Sequence, residues 1–338
     1  MTVAWELGEA QSREILEQLV VPAVFPDSTP HAVPTVIFVA GQVGSGRTRV
    51  IGGLAAQHPA DLAVVSGDGL RAFHPRYLAA VRSGDLEAQR TVAEETSPWF
   101  AACLRHARAI TRSLVIEGAF PNPSTVVSTA GVFANDGFQT RVVVVGVSRA
   151  ESVMGMVSAH LTNVRDGIRT PFPGVELHDR GWDGTRGLVA MLEESADADQ
   201  LTILDRTGRV VFDEKRSDAQ PRFAGAVAAL ERAQERPMSP LEAAQWMSEL
   251  RRVTEFAADH PDAEGAVTGA LIELYEIGVR DVLPALAVPQ GSQVVARQQR
   301  QYVDHLTRLR HSLRPAAPRF APAPVPVTPT PDRGGISR

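Results

Sequence analysis

Five short runs of apolar, largely β-branched residues recur through the first two thirds of the chain. They are TVIFVAG (35–41), LAVVS (62–66), SLVIEG (113–118), RVVVVGV (141–147) and LTILD (201–205). Continuous hydrophobicity over so few residues is the pattern of a strand buried on both faces, as in a parallel sheet. Helix-permissive stretches separate the runs at 46–57, 86–110, 124–135 and 150–164. Strand and helix in alternation lead to a doubly wound α/β domain. Such sheets bind ligands at the carboxyl ends of their strands. The residues expected at that edge are the Gly41 loop, Gly67 and Asp68, Glu117, Arg149, and the pair Asp205 and Arg206.

The first of these loops is GQVGSGRT, Gly41 to Thr48. It follows the phosphate-cradling pattern G-x-x-x-x-G-K-[ST] at every fixed position except that Arg47 stands where the pattern has lysine. Glycines at 41, 44 and 46 free consecutive backbone N–H groups to curl around a phosphate, and the next helix adds the positive end of its dipole. Gln42, Val43 and Ser45 complete the cradle, and Thr48 carries the hydroxyl that a Mg²⁺ ion takes in this motif. Of the chain's 34 basic residues, all but Lys215 are arginine, a general bias in which Arg47 shares. Arginine keeps the charge but is longer, planar and inclined to bidentate contacts.

Outside this domain the chain reads differently. Residues 1–33 comprise a short helix at 6–20, with Ile15, Leu16, Leu19 and Val20 on one face, and a proline-broken connection. From 217 to 314 the pattern is helical, in segments at 221–236, 239–260, 263–278 and 291–313. Ser239 and Glu242 form a capping box, with Pro240 at the first helical position. Residues 315–338 repeat proline without an apolar period and are expected to be disordered.

Composition narrows the function. The formal charge of −5 gives no reason to expect a nucleic-acid partner. No apolar run reaches membrane-spanning length. The single cysteine, Cys103, excludes an internal disulfide and fits a cytoplasmic protein. The nine histidines show no metal-ligand spacing. Trp99, Trp182 and Trp246 are expected in packing roles.

Several motifs in order resemble the zeta toxins, P-loop kinases of toxin–antitoxin systems that phosphorylate UDP-N-acetylglucosamine. They are PTVIFVAGQVGSGRT, SGDGLRAFHPRY (66–77), LVIEGAF, NDGFQTRVVVVGVSRAESVMG, the pair HD at 178–179 and LDRTGRVVFD (204–213). The resemblance covers roughly 34–214 and implies ATP and Mg²⁺ as cofactors, a UDP-N-acetylglucosamine-like acceptor and an antitoxin protein as partner. It makes Asp68 the general base and Glu117 a residue that positions substrate or the Mg²⁺ shell. Arg71 either contacts substrate or pairs with a carboxylate. His74, Pro75 and Tyr77 shape their loop. Arg169 becomes the arginine that, with Arg47, offsets charge on the transferring phosphoryl; Arg165, one turn earlier, is the competing assignment. Three positions depart from the family: Arg47 for lysine, Ala119 for threonine and Ala159 for arginine. They frame a second reading, a degenerate kinase that binds nucleotide or docks partners without turnover. A third is a phosphotransferase acting on a different alcohol.

Overall fold

The computed structural model describes residues 7–26, 29–57, 62–286 and 293–312. The proline-rich tail lies outside them. The central sheet has six strands in the order β2-β3-β1-β4-β5-β6: β1 (Thr35–Ala40), β2 (Ala63–Ser66), β3 (Leu114–Gly118), β4 (Gln139–Val145), β5 (Gln200–Leu204) and β6 (Val210–Lys215). The first five pair in parallel, as the apolar runs require. Strand β6 is an antiparallel edge that continuous apolar patterning does not reveal. Its sequence VVFDEK has no buried position, so no buried run marks it.

Alternate residues of the strands feed two separate cores. Val36, Phe38, Leu114, Ile116, Val142, Val144, Leu201 and Ile203 face one layer. Ile37, Val39, Val115, Val143 and Val145 face the other. Two buried faces explain why these strands carry no polar alternation.

The helices, in chain order, are α1 (Glu9–Ile15), α2 (Arg47–Gln57), α3 (Gly67–Arg71), α4 (Tyr77–Ser83), α5 (Leu86–Ala109), α6 (Pro123–Asn135), α7 (Arg149–Arg165), α8 (Gly174–Glu194), α9 (Ala226–Glu235), α10 (Pro240–Ala258), α11 (Pro261–Ile277) and α12 (Gln293–Ser312). Helix α2 covers the second face with Val50 and Ile51. Helices α5, α6 and α8 cover the first.

Two details differ from the sequence expectation. The N-terminal helix runs on through a π turn at Leu16–Val20 to Val24, past Pro22. The wider turn puts Ile15 and Val20 five residues apart on the buried face and rotates Leu19 into solvent, where it is 54% exposed. Helix α8 was not foreseen at all. Gly181, Gly184 and Gly187 lower its intrinsic propensity, and tertiary packing supplies the stability.

The helical region is not walled off from the sheet. Phe223 and, in α9, Ala226, Ala229 and Leu230 belong to the sheet's first core. Helices α10, α11 and α12 form a third core, and its other wall is α7, through Ala150, Val153, Met154, Met156, Val157 and Leu161. Ser239 caps α10 and closes the expected box with Glu242. Trp246 donates to the Ala150 carbonyl at 2.9 Å, tying α10 to the start of α7.

Candidate active site

The loop between β1 and α2 is compressed onto α7. Gly44 and Gly46 have φ of +79° and +95°, a left-handed conformation that side chains resist. A Cβ at Gly44 would lie 2.0 Å from the Ser152 carbonyl oxygen and 2.6 Å from the Met156 nitrogen. One at Gly155 would lie 2.5 Å from the Gly44 carbonyl oxygen. The Ser-x-x-Gly spacing of α7 therefore serves backbone-to-backbone contact with the loop. Space around Gly46, by contrast, is open. The Ser45 hydroxyl is buried with no hydrogen-bond partner among the described residues. An open mouth, glycine-shaped walls and an orphaned donor suit a phosphate cradle.

Arg47 folds back across this loop. Its Nη1 donates to the Gly41 carbonyl and, at 3.0 Å, to that of Gln42. Its Nε lies 3.4 Å from Glu117 Oε1. The β-register explains the meeting: Glu117 sits beside Val39 of β1 and Ser66 of β2. Thr48, next along α2, is exposed.

Asp68 and Arg71 form a separate pair at the end of β2, 2.8 Å apart, with the Asp68 side chain 91% exposed. Asp68 does not cap its helix; Ser66 does, accepting from the Gly69 nitrogen at 3.1 Å. The carboxylate faces solvent and its one ion pair, to Arg71, lies at the surface, so it can turn to meet a substrate. The loop after α3 is shaped by His74, which is buried and bonds Glu95 at 2.8 Å. Glu95 also accepts from the Leu7 nitrogen at 2.7 Å.

Arg169 is held by its backbone against α4 and α5. Its nitrogen donates to Val81 of α4, and its carbonyl accepts from Gln89 of α5. Its side chain runs over Gly84, is exposed, and pairs with no carboxylate among the described residues. Arg165 is paired with its neighbour Asp166 at 3.0 Å. The structure thus brings Arg47 and Glu117 together, and Asp68 and Arg71 together; Arg169 shares no hydrogen bond or ion pair with either among the described residues.

Sequence reasoning left one constellation unassigned. Arg149 opens α7 directly after β4 and bonds both carboxylate oxygens of Asp179 on α8. Its Nε reaches Glu273 of α11 at 2.5 Å. Next to Asp179, His178 is fully buried, with Nδ1 3.0 Å from Asp179 Oδ1 and Nε2 2.8 Å from the Ser152 hydroxyl. Burial lowers the His178 pKa, so the ring is neutral. A carboxylate only accepts, so Nδ1 carries the proton and Nε2 accepts from Ser152. Burial opposes the Asp179 charge, but bonds from Arg149 and His178 outweigh it and hold its pKa below the usual value. Ser152 lies beneath Gly44 and is inaccessible, so the chain of contacts is a brace for the loop and not a nucleophile. The legible signals were the HD pair and the arginine at a strand end.

Helix α8 adds a second brace through its glycines. A Cβ at Gly181 would be 3.2 Å from the Gln42 Cα, and one at Gly184 would be 2.6 Å from the Phe120 carbonyl oxygen. The segment it clamps follows β3 and contains Phe120 at φ +40°, a strained position for an aromatic residue.

The zeta toxin family model matches residues 23–217, more than half of the chain. The chain belongs to the zeta toxin family. Among curated relatives, Toxin zeta of Streptococcus agalactiae is 22% identical over 133 residues, covering 39% of this chain and 46% of its own. Toxin PezT of Streptococcus pneumoniae serotype 4 is 20% identical over 186 residues, covering 54% and 72%. The chain therefore spans about half the length of the zeta toxins it matches first. Among solved structures, one from the PezAT chromosomal toxin–antitoxin system of Streptococcus pneumoniae superposes with a TM-score of 0.62 at 16% identity. It covers 74% of this chain and 97% of that one, so the shared zeta toxin fold extends beyond residues 34–214. The AvrRxo1-ORF1:-ORF2 structure with ATP superposes at 0.53, with 13% identity and 81% and 96% coverage. These likenesses establish a shared fold. No described helix is long and apolar enough to cross a membrane.

Proposed function

We propose that this chain is an ATP-dependent phosphotransferase that moves the γ-phosphoryl group to a hydroxyl of UDP-N-acetylglucosamine or a similar small molecule. The observation that carries this reading is the pairing of a glycine-shaped loop at the end of β1 with an exposed, uncapped Asp68 at the end of β2. The loop would hold the phosphates. Asp68 would take the proton of the acceptor hydroxyl as its oxygen attacks phosphorus. Thr48 would hold Mg²⁺, with Glu117 nearby to orient its shell; the ion, when bound, neutralises charge on the transferring group. Arg47 and Arg169 would add positive charge, and Arg71 would orient Asp68 or the acceptor. An antitoxin protein is the expected partner, a reading supported by the likeness to a structure from the PezAT toxin–antitoxin system.

Incubation of the purified chain with labelled ATP and UDP-N-acetylglucosamine tests this. Label is expected on the sugar, and Asp68→Asn is expected to abolish it. Label confined to another alcohol would replace the acceptor; failure to bind Mg·ATP would remove the kinase reading. One observation favours a second reading, a nucleotide-binding or partner-docking module: the Arg47 guanidinium is engaged by loop carbonyls and by Glu117. Tight Mg·ATP binding without turnover would decide for it.

A further inference from the structure

Arg206, at the turn after β5, is unassigned by the reading above. We propose that it is a phosphate-binding residue of the nucleotide site, reaching the loop at 41–48 across the notch that Gly155 leaves in α7. The inference rests on the nucleotide-binding part of the proposed function and adds a residue to it.

The position follows from two close approaches to one point. A Cβ on Gly155 would sit 2.5 Å from the Gly44 carbonyl oxygen and 3.4 Å from Arg206 Nη2. The guanidinium is therefore no more than about 6 Å from the phosphate loop, with no side chain of α7 between them. Ala159, one turn further along the same face, is also too short to intervene.

The charge is available. Arg206 is half-buried, yet no carboxylate lies within ion-pair distance among the described residues. Its hydrogen bond goes from Nη1 to the Glu151 carbonyl at 2.5 Å. Arg169 is likewise without a carboxylate but is exposed, whereas Arg47 is committed to Glu117, Arg71 to Asp68, Arg149 to Asp179 and Glu273, and Arg165 to Asp166. Glu249, the acid whose pKa Arg206 helps to lower, is itself bonded first to Arg252 at 2.6 Å and to Ser158 at 2.6 Å. A half-buried guanidinium without a counter-ion is stabilised by an anion, and phosphate is the anion this loop is shaped to hold.

The turn also aims it. Asp205 accepts from the Thr207 nitrogen at 2.9 Å, the Thr207 hydroxyl at 2.6 Å and the Arg209 nitrogen at 3.1 Å. Gly208, at φ +88°, closes the turn. So many bonds within five residues leave Arg206 little freedom except along its own side chain, which is the condition for a preorganised contact.

Calorimetry on the full chain with Mg·ATP and with adenosine tests the proposal. Arg206→Gln keeps a donor for the Glu151 carbonyl and loses the charge; Arg206→Lys keeps the charge. We expect Arg206→Gln to weaken Mg·ATP by about tenfold, as loss of a charge-assisted phosphate contact does, with adenosine unchanged and Arg206→Lys within about threefold of wild type on the same scale. Wild-type affinity in Arg206→Gln overturns the proposal while leaving the nucleotide site intact. Equal losses in both variants, with adenosine and the thermal midpoint falling together, also overturn it, assigning Arg206 to a tie between turn and helix. A wild-type chain that does not bind Mg·ATP removes the site itself, and this residue's role with it.

Discussion

The Arg47 guanidinium bridges its own loop to the neighbouring strand, with Nε 3.4 Å from Glu117 Oε1 and Nη1 on the carbonyls of Gly41 and Gln42. A lysine ammonium is a single point and cannot span both groups in this way. The chain thus uses the extra reach of arginine, whatever general bias placed it there.

Any phosphate entering the loop competes with Glu117 for Arg47. Glu117→Gln removes the competing charge, so Mg·ATP is expected to bind a few-fold tighter, in line with about 1 kcal/mol for a single long contact of 3.4 Å between side chains that keep some solvent exposure. Phosphoryl transfer in the same variant is expected to fall by at least about tenfold if Glu117 organises the site as proposed. Calorimetry and turnover on one preparation separate the two effects. Weaker binding in this variant would show that Glu117 is not a competitor.

The glycines of the loop are not equivalent. Gly44→Ala would drive a methyl group to 2.0 Å from the Ser152 carbonyl oxygen at a positive φ, and Gly155→Ala one to 2.5 Å from the Gly44 carbonyl oxygen. Both obstacles are backbone, so α7 and the loop must separate. Losses of about 3 kcal/mol are expected for each, with nucleotide binding abolished. Gly46→Ala meets open space and carries only the conformational penalty, about 1 kcal/mol. Thermal midpoints of the three variants should fall in that order.

Acid should destabilise the fold through histidines that are buried neutral. Burial lowers the pKa of His160 and of His178. An unfolded histidine takes up a proton near pH 6.5, whereas these do so only at lower pH. The unfolded state therefore binds more protons as pH falls below about 6.5, and stability declines with it. His160→Phe, whose ring can still pack against Phe172 (5.2 Å between ring centroids in the wild type), is expected to flatten the decline between about pH 6.5 and 5. Glu242 acts in a different window. Its bond to Arg236 lowers its pKa to about 2, so its contribution is lost only below the unfolded carboxylate range. Thermal melts across pH would expose an error, since an unchanged slope in His160→Phe removes this residue from the account.

The strands of the sheet were readable because each is buried on both faces and so needs no polar positions. The glycine loop was readable as a turn between strand and helix because its glycine spacing follows a known pattern, and a loop stands there between β1 and α2. Helix α8 was not, since Gly181, Gly184 and Gly187 are unfavourable for an isolated helix. Their value appears only when Gln42 and Phe120 are seen against them. Strand β6 was missed for the opposite reason, being an exposed edge without a buried run. The Arg149 brace joins α7, α8 and α11 across 30 and 124 residues of chain. Contacts of that separation leave no local pattern. Asp68 and Glu117 could be named from motifs, but not that Glu117 would meet Arg47.

A boundary near residue 217 divides the sequence pattern but cuts through shared cores. Truncation after Lys215 would remove Phe223, Ala226, Ala229 and Leu230 from the first core of the sheet. It would also uncover Val153, Met154, Met156 and Val157 of α7, which are otherwise buried against α10, α11 and α12. The valine, leucine, methionine and phenylalanine side chains among these contribute roughly 1.5–3 kcal/mol each when buried, and a domain's whole margin is about 5–15 kcal/mol. Residues 1–215 are therefore expected to aggregate or remain unfolded, whereas 1–312 should fold and bind nucleotide like the full chain. Arg149→Met should show the milder form of the same dependence. It leaves the Asp179 and Glu273 carboxylates without their shared cation, with a loss of about 2–4 kcal/mol, moderated by partial exposure. Its effect should reach the loop through Asp179, His178 and Ser152, so Mg·ATP affinity is expected to fall along with the thermal midpoint. A soluble, cooperatively melting 1–215 fragment would show that the helical region is an addition to the kinase fold and not part of its wall.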